Sequence, residues 1–234
     1  IVCTIGPACS DEKTITEMCL AGMNVARMNF SHNTHKDHEE RINLVKKVRE
    51  KLGLPIAILL DTKGPEYRIK TFKNGKIFLN AGDSFTFTAE DIEGDETKVS
   101  VNYKDLAHDL QKGDKILLNN GLLSFEVLST TEKDVNCRVL IGGELSDRKS
   151  MSFPNKTLKQ IYLSEQDKKD ILFGAKQGID FLACSFVSCK QDLIDVKEFL
   201  KENNIEGIDI IAKIENRSGV DNIEEICEER DGIM

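Results

Sequence analysis

The sequence predicts an α/β chain: a partial (β/α)8 TIM barrel with a small antiparallel β-barrel domain inserted into it. Three observations predict this. Apolar runs of strand length alternate with helix-like stripes over residues 1–64 and again over 156–234, the pattern of a parallel sheet covered by helices. Residues 65–155 change texture, to short β-rich runs split by glycine and asparagine turns. No helix opens on a G-x-G-x-x-G, which weighs against the competing doubly wound sheet.

The elements follow in order. Ile1 to Gly6 reads as a short buried strand. Ser10 is a good helix cap, and Asp11 and Glu12 suit the positive end of the helix dipole. Ile15, Met18 and Cys19 form that helix's apolar stripe, and Gly22 closes it. Asn24 to Phe30 is the next strand. Thr34 opens a second helix with the stripe Ile42, Val45, Val48 and Leu52, stopped by Gly53 and Pro55. Pro55 to Leu60 is continuously apolar, as a strand buried on both faces should be.

From about Glu66 to Phe153, turns at Asn74-Gly75, Gly94-Asp95, Gly113-Asp114, Asn120-Gly121 and Gly142-Gly143 separate strands such as Ser84–Thr88, Lys115–Leu118 and Leu122–Leu128. Only Tyr103 to Leu110 suits a short helix. Alternation resumes with Ser164 capping a helix. A strand over Asp180–Val187 follows, then a helix over Gln191–Asn203, a strand ending in Lys213 and Glu215, a helix from about Gly219 to Glu229, and the start of a strand at Asp231.

The bulk numbers exclude several classes. A formal charge of −8 argues against a general nucleic-acid binder, which needs a basic face. No apolar run reaches the length of a membrane span, and no signal-peptide pattern opens the chain. The seven cysteines are scattered without zinc-site spacing, so they read as small buried hydrophobes in a reducing cytoplasm. Ile1 opens inside an apolar strand and Met234 stops inside another, so the chain reads as a piece of a longer protein.

Polar residues gather at strand ends, where a barrel of this kind places its site. The run Ile210-Ile211-Ala212-Lys213-Ile214-Glu215-Asn216 begins buried and ends polar, with Lys213 and Glu215 on one face by period two. A surface ion pair would account for those two alone. The second strand, however, ends with Arg27, Asn29 and Ser31 on one face, and the third with Asp61-Thr62-Lys63-Gly64-Pro65-Glu66, then Arg68. A lysine and an arginine suit phosphoryl oxygens, a carboxylate suits a divalent cation, and neutral oxygens suit a cation of lower charge. His32 fits a turn as well as a nucleotide contact. His35, His38 and His108 read as solvated, as does the helix face Asp37-His38-Glu39-Glu40-Arg41. The basic pair Arg148-Lys149 alone also reads as solvated.

At these residues the sequence resembles the pyruvate kinase family. Four stretches carry the resemblance: Val2 to Ala8, Gly22 to His32, Leu60 to Glu66, and Lys213-Ile214-Glu215-Asn216 followed by Gly219-Val220. It implies phosphoryl transfer from phosphoenolpyruvate to ADP, giving pyruvate and ATP. It implies that Arg27 contacts the substrate phosphoryl group and that Lys213 stabilises that group in transfer. Asn29, Ser31, Asp61 and Thr62 match the ligands of K+, and Glu215 matches one of two carboxylates on Mg2+ (or Mn2+). Asn29, Phe30, Ser31 and His32, with Arg68 and Lys149, match nucleotide positions, and Glu66 matches the glutamate that goes with potassium dependence. The inserted domain would close over the site as a lid. The family also implies a homo-oligomer, a homotetramer, once full-length.

Two departures stand out. Asn119 and Asn120 replace two aspartates usual before Gly121, and Lys149-Ser150-Met151-Ser152-Phe153-Pro154 replaces Lys-Gly-Val-Asn-Leu-Pro. Both bear on nucleotide contacts more than on the phosphoenolpyruvate site. The resemblance puts the second metal carboxylate, the threonine linked to enolate protonation and a regulatory domain beyond Met234, so this chain alone is expected to be inactive. A magnesium-dependent carbon–carbon lyase on the same barrel and a non-catalytic relative are the competing readings.

Overall fold

The computed structural model describes residues 1–234 except 155, 157, 159 and 160. In chain order the elements are β1 (Val2–Thr4), α1 (Glu12–Leu20), β2 (Val25–Asn29), α2 (His35–Leu52) and β3 (Ala57–Asp61). Then come β4 (Lys76–Leu79), β5 (Ser84–Thr88), β6 (Lys98–Ser100), α3 (Leu106–Asp109), β7 (Lys115–Leu118), β8 (Leu123–Thr130), β9 (Asp134–Ile141), β10 (Gly143–Ser146) and β11 (Met151–Ser152). The chain continues as α4 (Glu165–Lys176), β12 (Phe181–Cys184), α5 (Lys190–Glu202), β13 (Asp209–Ala212), α6 (Arg217–Asp221), α7 (Ile223–Cys227) and β14 (Gly232–Ile233).

Two compact units result: Ile1–Pro65 with Ile161–Met234, and Glu66–Gln160. In the first, six strands form one sheet in the order β1-β2-β3-β12-β13-β14, and every neighbouring pair is parallel. Each strand is laid beside its predecessor and helices connect them, which is the build of a partial β/α barrel. The register sets Arg27 beside Thr4, and both Asn29 and Ala183 beside residue Asp61, so the polar strand ends line up. Beneath them Met28, Ile58, Leu60 and Leu182 meet Ile42, Val45 and Val48 of α2, Ile171 of α4 and Val196 of α5 in one buried core. At ~1.5–3 kcal/mol for each fully buried large side chain, this core rather than the polar ends holds the unit together.

Helix ends follow side-chain chemistry, with differences from expectation. The cap of α1 is Asp11, whose Oδ1 accepts from Thr14 N at 2.9 Å, while Ser10 Oγ donates to the Gly6 carbonyl at 2.7 Å and closes a preceding 3-10 turn. Thr34 and Asp37 form a reciprocal capping box on α2, and Gly53 ends it at φ 63°. The strand expected over Asp180–Val187 stops at Cys184, because Ser185 turns aside to bond the end of β3. The helix expected from Gly219 to Glu229 is two short helices broken at Asn222, whose Nδ2 donates to the Ser188 carbonyl at 2.9 Å. His38 is a clear correction: it lies 1% exposed in the core rather than on a solvated face.

The second unit has its own core, centred on Phe85, Phe87 and Phe125 with ring centroids 5.1–5.9 Å apart. Its main sheet runs β11-β7-β8-β9-β5-β6, and β10 pairs with β4 separately. The pairing is antiparallel except between β5 and β6, which run parallel because the chain crosses over between them rather than turning back in a hairpin. Asn119, Asn120 and Gly121 all take positive φ, of 52°, 57° and 85°. Asparagine tolerates that left-handed region better than most residues, so both asparagines serve the turn from β7 to β8.

Candidate active site

The site grows from one buried carboxylate. Asp61 ends β3 and is 1% exposed, so its charge must be met by protein groups. Arg27, on β2, meets it from one side: Nε and Nη2 each lie 2.5 Å from Asp61 Oδ2. The remaining arm of the guanidinium, Nη1, donates to Thr4 Oγ1 at the end of β1 at 2.6 Å. Lys213, one residue past β13, meets Asp61 from the other side, with Nζ 3.0 Å from Oδ1. Two cations from separate strand ends, β2 and β13, are thus fixed by one anion on β3, and charge-assisted bonds of this length set their positions closely.

Ser185 completes the joint, and it is the residue that sequence reasoning missed. Only 2% exposed, its Oγ lies 3.0 Å from Asp61 Oδ1, 2.6 Å from the Thr62 carbonyl and 2.9 Å from Lys213 Nζ. A hydroxyl has one proton and two lone pairs. Its one proton is shared between the Thr62 carbonyl and Asp61 Oδ1, and it accepts from the lysine. Its backbone N–H donates to Thr62 Oγ1 at 3.1 Å. Gly64 makes this approach feasible: at φ +65°, a Cβ there would stand 2.7 Å from the Ser185 carbonyl oxygen.

Glu215 lies next to the joint. Its Oε1 is 3.3 Å from Lys213 Nζ, and its Oε2 accepts from Phe186 N at 3.1 Å. Phe186 takes φ +58°, a left-handed conformation unusual for a bulky residue. Asn216 holds it there, donating from Nδ2 to the Phe186 carbonyl at 3.0 Å while its Oδ1 caps α6 through Gly219 N at 2.7 Å. Glu215 retains free lone pairs and is about one-third exposed. That suits a magnesium-type ion, which takes one or two protein carboxylates and fills its shell with water and phosphate oxygens. Among the described residues no group of three or more His, Cys, Asp or Glu is arranged to hold a metal.

The remaining candidates divide. Asn29 lies beside Asp61 in register, with its Oδ1 turned to accept from Ser31 N at 3.0 Å. Asp61 and the Thr62 carbonyl converge on Ser185 Oγ. Amide, hydroxyl, carbonyl and carboxylate oxygens are the donor set a monovalent cation takes. His32 is exposed, whereas the Phe30 ring is buried against His38, so Phe30 has no ring face to offer a ligand. In the 66–160 unit, Arg68 makes a two-point bond to Glu66 at 2.7 and 2.5 Å and donates Nη1–H to the Arg148 carbonyl at 2.6 Å. Lys149 is half-buried, and its carbonyl accepts from Ile69 N at 3.1 Å.

Comparison with known proteins identifies the family. The family profile described as pyruvate kinase, barrel domain, matches residues 1–234. A pyruvate kinase of Staphylococcus haemolyticus is 44% identical over all of this chain and 40% of its own length. One of Clostridium perfringens is 43% identical over all of this chain and 50% of its own. The crystal structure of a pyruvate kinase from Cryptosporidium parvum superposes with a TM-score of 0.93 at 34% identity, covering all of this chain and 49% of that one. The chain therefore spans half or less of the length of these relatives. The family profile over the whole chain and these relatives show that the chain belongs to the pyruvate kinase family and carries the family's barrel domain.

Proposed function

We propose that the protein of which this chain is a part transfers the phosphoryl group of phosphoenolpyruvate to ADP, giving pyruvate and ATP. The observation that carries this reading is the pair of cations, Arg27 and Lys213, fixed on opposite oxygens of buried Asp61 at the ends of parallel strands. Phosphoryl transfer asks a protein for positive charge on the equatorial oxygens and for positioning. Arg27 binds the phosphoryl group of the substrate. Lys213, held by Asp61 and Ser185, faces the charge that develops as the group moves. Glu215 would hold Mg2+ (or Mn2+), which when bound neutralises charge on the phosphoryl oxygens. Asn29, Ser31, Asp61 and Thr62 would hold K+, adding positive charge beside the same group. Asn29, Ser31 and His32, with Arg68 and Lys149, would contact ADP, Phe30 contributing only backbone.

On the family reading Glu215 shares the metal with a second carboxylate, and this chain alone is inactive. The family reading also carries a cytoplasmic homotetramer for the full-length protein. The test is pyruvate formation by the full-length protein from phosphoenolpyruvate and ADP, with Mg2+ and K+ each omitted in turn. Turnover requiring both ions supports the reading. Binding of phosphoenolpyruvate without turnover would show a non-catalytic relative.

A further inference from the structure

The turn that carries Asn29 and Ser31 is held from behind by a residue that no role above requires. His38, at the end of the first turn of α2, is 1% exposed, and its ring stacks on Phe30 at 4.0 Å and 9°. Its Nε2 lies 2.9 Å from the His32 carbonyl oxygen. A carbonyl only accepts, so Nε2 carries the proton and Nδ1 keeps a lone pair. That Nδ1 is buried with no hydrogen-bond partner among the described residues. Burial chiefly, with Arg41 adding to it, pushes the imidazole below its usual value against the pull of the His32 carbonyl, Asp170 and Asp37, and keeps it neutral. A phenylalanine here would fill the space, keep the stack and bury no unpartnered ring nitrogen, at the loss of the donor to the His32 carbonyl. Burying Nδ1 is therefore a cost, and the Nε2–H bond is what offsets it.

The bond falls at a sensitive place. Within the turn, Asn29 Oδ1 accepts from Ser31 N and the Asn29 carbonyl accepts from His32 N at 3.3 Å. Among the described residues, and beyond the β2–β3 ladder, the turn is tied to its unit by Phe30 N to the Asp61 carbonyl at 3.0 Å and by the His32 carbonyl to His38. The first fixes its beginning and the second its end. Beside it, His35 braces the rings: its Nε2 pairs with buried Asp170 at 2.6 Å and its ring stacks on Phe173 at 4.3 Å. We propose that His38 is a positioning residue, whose Nε2–H bond to the His32 carbonyl fixes Asn29 and Ser31 for cation and nucleotide binding. Its consequence for catalysis rests on the phosphotransfer reading, while the positioning itself does not.

Two variants of the full-length protein separate the bond from the stack. His38→Phe keeps the ring and loses the donor, whereas His38→Gln keeps a donor and loses the ring. The first measurement is amide hydrogen exchange of the peptide covering residues 29–33. Loss of the bond should speed exchange about tenfold in His38→Phe and leave His38→Gln within about threefold of the parent. The second is kinetic: His38→Phe should raise the half-saturating concentrations of K+ and ADP about tenfold, with kcat at saturation within about threefold. Parent-like exchange in His38→Phe, or equal loosening in both variants, would overturn the proposal. Should His38→Phe fail to fold, His38→Met, of similar volume and without a donor, takes its place in the same comparison. If the parent forms no pyruvate, the phosphotransfer reading fails on its own and the exchange measurement still decides the role of His38.

Discussion

Replacing Lys213 with methionine should stop turnover while sparing the fold, and the structure sets both magnitudes. Lys213 Nζ reaches Asp61 Oδ1 at 3.0 Å, Ser185 Oγ at 2.9 Å and Glu215 Oε1 at 3.3 Å, with the side chain 12% exposed. Breaking a buried ion pair usually costs about 3–5 kcal/mol, because a charge is left alone. Here Asp61 is not left alone: Arg27 holds Oδ2 with two bonds of 2.5 Å, and the Ser185 hydroxyl can turn fully to Oδ1. The stability loss should therefore be that of one charge-assisted hydrogen bond, about 1.5–3 kcal/mol, moderated by the methionine stem that fills the same space. Turnover is another matter. On the proposed function the lysine acts where charge develops, so removing it should lower kcat on the order of 10²–10³-fold or more, with a smaller effect on phosphoenolpyruvate binding. The assay is kcat and KM for phosphoenolpyruvate at several Mg2+ concentrations in the full-length enzyme, beside urea unfolding of the same variant. Glu215→Gln should differ by weakening Mg2+ affinity first. A Lys213→Met enzyme with near-normal kcat and a raised KM would make Lys213 a ground-state binding residue and refute this reasoning.

Three further outcomes are expected. Gly64→Ala would put a Cβ 2.7 Å from the Ser185 carbonyl and force φ +65° on an L-residue, so it should cost about 2 kcal/mol or more in urea unfolding and depress kcat. Gly75→Ala, at φ +73° with nothing within 4 Å, should cost only the backbone term and leave kcat unchanged; equal effects would refute the crowding argument. His38, held below its unfolded value near 6.5, contributes stability that is complete above that value and is lost as pH falls through it toward the folded value. Denaturant midpoints should therefore begin to fall near pH 6.5 in the parent and not in His38→Phe, above the range where carboxylates titrate; identical profiles would contradict this. Cys19, Cys137 and Cys184 are buried, and burial pushes the Cys137 and Cys184 thiols up to about 12, so native protein should react rapidly with a thiol reagent only at Cys3, Cys9, Cys189 and Cys227. Rapid modification of all seven before unfolding would contradict the packing.

Much of the fold was legible because it rests on local patterns. The stripe Ile42, Val45 and Val48 is the buried face of α2, and the run through Ile58 and Leu60 is a strand covered on both sides. Gly53 and Thr34 ended and began helices where their chemistry says they should. Site residues at strand ends were legible for the same reason, since period two and strand ends place Arg27, Asp61, Lys213 and Glu215 near one another. What could not be read depended on contacts distant in sequence. Ser185 looked like one more residue of an apolar strand, because its partners, Asp61 and Thr62, lie more than 120 residues away. His38 looked solvated because its neighbours Asp37, Glu39, Glu40 and Arg41 are charged, yet its own helical position falls on the Phe30 side. Asn222 broke a helix that its stripe favoured, by bonding a carbonyl of another loop. Hydropathy patterns report which face is buried; they do not report a polar side chain that finds its partner across the fold.

The central claim is that a phosphoryl group leaves phosphoenolpyruvate and arrives on ADP at the Arg27–Asp61–Lys213 joint. Phosphorus NMR of the full-length protein with phosphoenolpyruvate, ADP, Mg2+ and K+ tests it directly. The account predicts that the phosphoenolpyruvate signal is replaced one for one by the γ-phosphate of ATP, and that Lys213→Met slows this by 10²-fold or more on the order given above. Phosphoenolpyruvate consumed with release of inorganic phosphate or cleavage of a carbon–carbon bond, and no ATP formed, would contradict it.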